Sequence, residues 1–207
     1  MKALILVDIQ NDFVPGGALA VPKGDEVIPI ANQLQRSFPH VVATQDWHPV
    51  NHVSFAANHP GKKPFEQTKP NGQPQTLWPV HCVRGSKGAE LASGLDRAKI
   101  SKIFRKGTDP AIDSYTGFFD NGHGKSTGLG EWLKSQGVTE VFVCGLATDY
   151  CVKFTALDAA RLGFKTHFIE DASRGVNLQP DDVKNAMDEM KRAGIDVKNS
   201  SEILTTH

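Results

Sequence analysis

Residues 141–152 read VFVCGLATDYCV. Val141–Leu146 is apolar at nearly every position rather than alternating, as expected of a strand covered on both faces in a parallel sheet. Gly145-Leu146-Ala147-Thr148-Asp149-Tyr150-Cys151 then reads as a strand end, a tight turn and a helix start. The chain opens on a strand of the same kind, Ala3-Leu4-Ile5-Leu6-Val7, ended by Asp8. VVAT (41–44) is a further short apolar run and Ile100–Phe104 a weaker one. Lys165–Glu170 and Ile195–Val197 are the remaining strand candidates. Helical patterns separate them. Asp25 is placed to cap a helix with Val27, Ile28, Ala31 and Leu34 inward and Pro29 in its first turn. Leu129, Trp132 and Leu133 mark a second helix, stopped by Gly137. A third runs from about Tyr150 to Leu162, with Gly163 after it. Pro180 suits the first turn of a fourth, with Val183, Ala186, Met187 and Met190 inward and Gly194 ending it. Strand alternating with helix predicts an α/β fold built on a parallel sheet.

One segment breaks the rhythm. Residues 47–98 are rich in Pro, Gly, Asn, His and Gln and hold four of the eight histidines. An insertion this long inside a compact domain is usually functional. At 207 residues, with 39% hydrophobic content and no repeats, the chain is expected to form a single domain over 1–207. Lys plus Arg and Asp plus Glu stand at 23 each, so no basic excess recommends nucleic acid or a membrane surface as partner. The Lys99, Lys102, Arg105, Lys106 cluster reads as a strand with solvated basic residues. Three cysteines, Cys82, Cys144 and Cys151, are too few and odd in number for a disulfide framework. No apolar stretch reaches membrane-spanning length, and the short N-terminal run does not read as a signal segment. A cytoplasmic protein is the expectation, with formation of a homo-oligomer left open.

Parallel α/β sheets bind ligands at the carboxyl ends of their strands. Asp8 ends the first strand, Asp46 the second, Lys106 follows the third and Cys151 follows the fourth. The strand reading therefore brings four reactive side chains to one edge. At a helix start, Cys151 would have its thiolate favoured by the helix dipole and free N–H groups nearby to hold an oxyanion. The alternative is a small buried core residue, the ordinary role of a free cysteine. Asp8 is either a general base for that thiol or a turn former. Lys106 is either a surface lysine or an ammonium between the two. In Asp46-Trp47-His48 the Asp and His point the same way on an extended segment and can share a divalent cation, with His81 as third ligand. Such mixed ligation suits zinc, iron or manganese. The plainer reading is a hydrogen-bonded pair in a turn. His52 and His59 are available to assist. Cys144 reads as core; Cys82 is either core or ligand.

The motifs VDIQNDFVPGGAL (7–19), TQDWHPVNHVSFA (44–56), LWPVHC (77–82), KGTD (106–109) and GLATDYCV (145–152) together resemble the nicotinamidases, within the isochorismatase-like cysteine hydrolases. The resemblance covers most of the chain. It implies a six-stranded parallel sheet with helices on both faces and a metal-site insertion after the second strand. It implies a catalytic triad of Asp8, Lys106 and Cys151, and an oxyanion hole at the N–H groups of Ala147 and Cys151 with a cis peptide before Ala147. It implies metal ligands Asp46, His48 and His81, with zinc preferred over iron or manganese and His52 as the nearest candidate for a fourth. Phe13 and Trp78, joined by Tyr115, would enclose the ring of nicotinamide. The implied activity is hydrolysis of nicotinamide to nicotinate and ammonia in NAD salvage, with pyrazinamide as a further substrate. The rivals are an amidohydrolase acting on carbamoyl substrates and a non-catalytic metal or redox sensor. A dinucleotide-binding fold is disfavoured because DIQNDF, not a glycine-rich turn, follows the first strand.

Overall fold

The computed structural model describes residues 1–204; Thr205–His207, the end of the expected 1–207 domain, lie outside the described residues. The strands are β1 (Lys2–Val7), β2 (His40–Asp46), β3 (Gln67–Thr68), β4 (Gln75–Thr76), β5 (Ile100–Lys106), β6 (Glu140–Leu146), β7 (Lys165–Arg174) and β8 (Asp196–Lys198). The helices are α1 (Val27–Leu34), α2 (Leu129–Ser135), α3 (Lys153–Arg161), α4 (Asp182–Arg192) and α5 (Ser200–Leu204). Six strands form one sheet in the order β5-β2-β1-β6-β7-β8, and every neighbouring pair is parallel. The expected α/β architecture, with helices on both faces, is the one observed.

The uninterrupted apolar runs are explained by two cores. Leu4 and Leu6 of β1 pack with Val27, Ala31 and Leu34 of α1 on one face. Ala3, Ile5 and Val7 pack on the other face with Leu129 and Leu133 of α2, Ala156 and Ala159 of α3 and Met190 of α4. A strand covered on both sides gains burial at every residue, which removes the polar alternation. β1 lies at the centre: the chain runs outward from it to β2 and β5, then crosses back to β6 on its other side. The crevice at the carboxyl ends of β1 and β6 is therefore the topological switch point, where such sheets bind ligands.

Several local expectations are corrected. Asp25 makes no cap: Glu26 is the residue before α1, and it too lacks a side-chain capping bond. The third helix does not run on from Tyr150; Thr148–Val152 form a wider π turn and α3 begins at Lys153. Pro180 precedes the N-cap Asp181 and so lies outside α4. β8 is shifted one residue along from Ile195–Val197. β7 continues to Arg174 through a register shift, after which Gly145 pairs with Ser173. Lys106 is not a solvated strand lysine but is 2% exposed. The 47–98 insertion is held by its own pairings, including the β3–β4 hairpin and the bridges His48–Val83 and Phe55–Trp78. Among the described residues, no helix is long and apolar enough to cross a membrane.

Candidate active site

Strand register puts the site together. Asp46 pairs directly with Lys106 across β2 and β5, while Val7 pairs with Gly145 across β1 and β6. Asp8 therefore emerges beside the turn that leads to Cys151. Gly145 is required there: its φ is +123°, and a Cβ would stand 2.2 Å from the Val7 carbonyl oxygen. Only a residue without a side chain lets the two strand ends approach so closely.

Lys106 is the hub. Its Nζ lies 2.9 Å from Asp8 Oδ2, 2.5 Å from Asp46 Oδ1 and 3.4 Å from Cys151 Sγ, and it donates to the Ser114 carbonyl at 2.8 Å. Asp8 is fully buried and accepts a 2.6 Å hydrogen bond from the Thr44 hydroxyl on its other oxygen. Its Oδ2 contact with Lys106 is an ion pair without good hydrogen-bond alignment, and the donor atoms of Asp8, Asp46 and Cys151 lie within 4.8 Å of one another. Burial pushes Asp8 above the usual carboxyl range against the pull of Lys106, and the Asp46 charge adds to the rise. Burial also opposes ionisation of Asp46, but the Lys106 ammonium and then His48 outweigh it and hold that carboxyl low. Burial would discharge Lys106, yet the two carboxylates keep it charged, well above the ordinary lysine range. Burial drives the Cys151 thiol well up, with Lys106 opposing. The resting pair is thus a neutral thiol beside a carboxylate made more basic by its surroundings.

Ala147 follows the cis Leu146–Ala147 peptide. Its carbonyl accepts from Tyr150 and Val152 N–H groups, both at 3.1 Å. The Cys151 N–H lies between those two donors in the Thr148–Val152 turn. The turn thus sets the Cys151 amide at the start of a helical segment, next to its own thiol.

Asp46 faces two ways. Its Oδ2 is 3.5 Å from His48 Nε2 and 4.0 Å from His81 Nε2. The donor atoms of Asp46, His48 and His81 all lie within 4.8 Å of one another. His48 Nδ1 pairs with the Gly107 carbonyl at 2.8 Å and His81 Nδ1 with the Pro79 carbonyl at 2.7 Å. A carbonyl takes only a donor, so each Nδ1 carries a proton. Burial opposes charging of His48, but the Asp46 carboxylate outweighs it and raises His48 above the ordinary histidine value, so a cation would displace the proton at its Nε2. Burial, then the neighbouring His48, pushes His81 down to about 4, keeping it neutral. This donor set fits a divalent cation. His52 Nε2 is buried without a hydrogen-bond partner and stands 4.0 Å from Asp113 Oδ1, grouped with His48. His59 turns away to the Val53 carbonyl at 2.6 Å.

A cavity joins the two halves. Phe13, Trp78, Tyr115 and Tyr150 give it aromatic walls, with Cys151 and His81 also on its lining. Tyr115 Oη accepts from Trp78 Nε1 at 3.3 Å, tying two of the expected ring contacts together. Sequence reasoning missed Tyr150, Val176, Asp113 and the Ser114 carbonyl. Tyr150 adjoins the nucleophile candidate and could have been found from that; a backbone carbonyl eight residues from Lys106 leaves no signal in residue type.

The isochorismatase domain matches residues 2–202 of the chain. The nicotinamidase of Escherichia coli (strain K12) is 51% identical over 197 residues, covering 93% of this chain and 92% of that protein. The structure described as Acinetobacter baumanii nicotinamidase pyrazinamidease superposes with a TM-score of 0.95 at 47% identity, covering 98% of this chain and 97% of that one. The pyrazinamidase of Pyrococcus horikoshii in complex with zinc superposes with a TM-score of 0.78 at 40% identity, covering 96% and 98%. With nearly its whole described length matched, the chain belongs to the isochorismatase family.

Proposed function

We propose that this protein is a nicotinamidase, hydrolysing nicotinamide to nicotinate and ammonia through a thioester on Cys151, and that it also accepts pyrazinamide. The observation that carries the reading is the contact of one buried ammonium, Lys106, with Asp8, Asp46 and Cys151 at the base of an aromatic cavity. The relatives at about half identity that bear the nicotinamidase name support it.

Phe13 and Trp78, with Tyr115, enclose a flat ring and exclude water from it. Asp46, His48 and His81 would hold one divalent cation, zinc by the likeness to the zinc-bound pyrazinamidase. When bound, it supplies a Lewis-acidic point for a ring nitrogen and offsets the excess negative charge of Asp8 and Asp46 over Lys106. With the ring fixed, the carboxamide carbon lies against Cys151, which is catalysis by positioning. Asp8 accepts the thiol proton as sulfur attacks the carbonyl carbon. The oxyanion that forms is held by the N–H groups of Ala147 and Cys151. Asp8 returns the proton to the amide nitrogen, the C–N bond breaks and ammonia leaves. Water then adds to the thioester, losing its proton to Asp8, and breaking of the C–S bond releases nicotinate and restores the thiol. Lys106 stays charged throughout and steadies Asp8 and the departing or attacking sulfur.

The partner is a small amide. The product suits return of the pyridine ring to NAD, and the cytoplasm suits a nucleophile that oxidation would disable. The test is ammonia release from nicotinamide, with and without chelator, beside an N-carbamoyl amide. Release from nicotinamide that chelator suppresses and cation restores is expected. Turnover of the carbamoyl amide alone, or none at all with cation bound, refutes the assignment.

A further inference from the structure

Gln10 is fully buried, two residues beyond Asp8. Asp8 has φ +47°, and the Gln10 N–H closes back on the Asp8 carbonyl at 2.8 Å. This turn ends β1 early. The β1–β2 ladder stops at the Leu6–Ala43 pair, three residues before Asp46. Asp46 pairs with Lys106 on its outer side, but on its inner side no strand residue remains to meet its backbone.

The Gln10 side chain takes that place. The Asp46 N–H donates to Gln10 Oε1 at 2.8 Å, and Gln10 Nε2 donates to the Asp46 carbonyl at 2.9 Å. A second Nε2 bond reaches the Ala89 carbonyl at 2.8 Å. One donor and two acceptors around the amide leave a single orientation that satisfies all three. The amide thus acts as an added strand residue, gripping both backbone groups of Asp46. Asp46 then divides its carboxylate, Oδ1 on Lys106 and Oδ2 toward His48 and His81.

We propose that Gln10 is a positioning residue that fixes the Asp46 carboxylate between Lys106 and the cation. This rests on the reading of Asp46, His48 and His81 as cation ligands. Ligand-supporting hydrogen bonds of this kind are worth about 10–100-fold in metal affinity.

The test measures the zinc(II) affinity of the folded full chain against a competing chelator for wild type, Gln10→Glu and Gln10→Met. Gln10→Glu keeps the shape but replaces both donated bonds by oxygen against carbonyl oxygen. Gln10→Met removes all three bonds. Gln45→Leu is the control, because Gln45 Nε2 bonds the same Ala89 carbonyl at 2.7 Å without touching the Asp46 backbone. Both Gln10 variants are expected to bind zinc about 10–100-fold more weakly, while Gln45→Leu loses thermal stability without losing affinity. Wild-type affinity in either folded Gln10 variant, or an equal loss in Gln45→Leu, overturns the proposal. If neither Gln10 variant folds, the residue serves folding and the proposal falls. If wild type itself binds no stoichiometric zinc, it is the ligand reading that has failed, a different result.

Discussion

Replacing Lys106 with methionine removes a cation and leaves its space filled. In chelator-treated protein, Asp8 and Asp46 then confront each other in the interior. Their oxygens and Cys151 Sγ lie within 4.8 Å of one another. Two carboxylates at that spacing repel by about 3 kcal/mol at an effective dielectric of about 20. That agrees with the usual cost of about 3–5 kcal/mol for breaking a buried ion pair from one side. For a chain of this length the melting temperature should fall by about 6–20 °C. The pH dependence carries a sign. In the variant one carboxyl keeps a proton in the folded state, so its folded pKa rises above its unfolded value. The native state then binds more protons than the unfolded one, and stability returns as pH falls. The deficit against wild type should be largest above neutrality and shrink toward about pH 5. Added zinc(II) should recover part of it, because the cation compensates Asp46. Thermal unfolding of both proteins, with chelator and with zinc(II), measures each of these. A deficit under about 1 kcal/mol at neutral pH with chelator, or one that grows on acidification, would refute the charge accounting.

Gly145→Ala should destabilise the chain by about 3 kcal/mol or more, because its methyl group meets the Val7 carbonyl rather than a movable side chain; unfolding within about 1 kcal/mol of wild type would contradict this. His81, held near 4 when folded against 6.5 unfolded, contributes stability above pH 6.5 that is lost as pH falls toward 4. Chelated wild type should therefore lose more stability than His81→Gln between pH 7 and about pH 5, and equal losses would rule that out.

The two central strands were legible because β1 and β6 are buried on both faces, which writes an unbroken apolar run into the sequence. Asp8, Lys106 and Cys151 could be placed on one edge because strand ends in a parallel sheet share an edge. Their burial could not be read: Lys106 sits on an edge strand where Ser101, Lys102, Ile103 and Arg105 are exposed. The β3–β4 hairpin escaped detection because two-residue strands carry no period. The π turn escaped because it differs from an α-helix start only in hydrogen-bond spacing. Gln10 gave no sign because a buried amide that stands in for a strand residue looks, in sequence, like any glutamine in a turn.

The central claim is that Cys151 carries the reaction and the cation site is a separate piece of machinery. Ammonia release by Cys151→Ala, measured with bound-cation stoichiometry on the same sample, tests it most directly. A loss of about 10⁴-fold or more is expected, with cation content unchanged. Turnover within about tenfold of wild type, from protein holding its full cation complement, would contradict it.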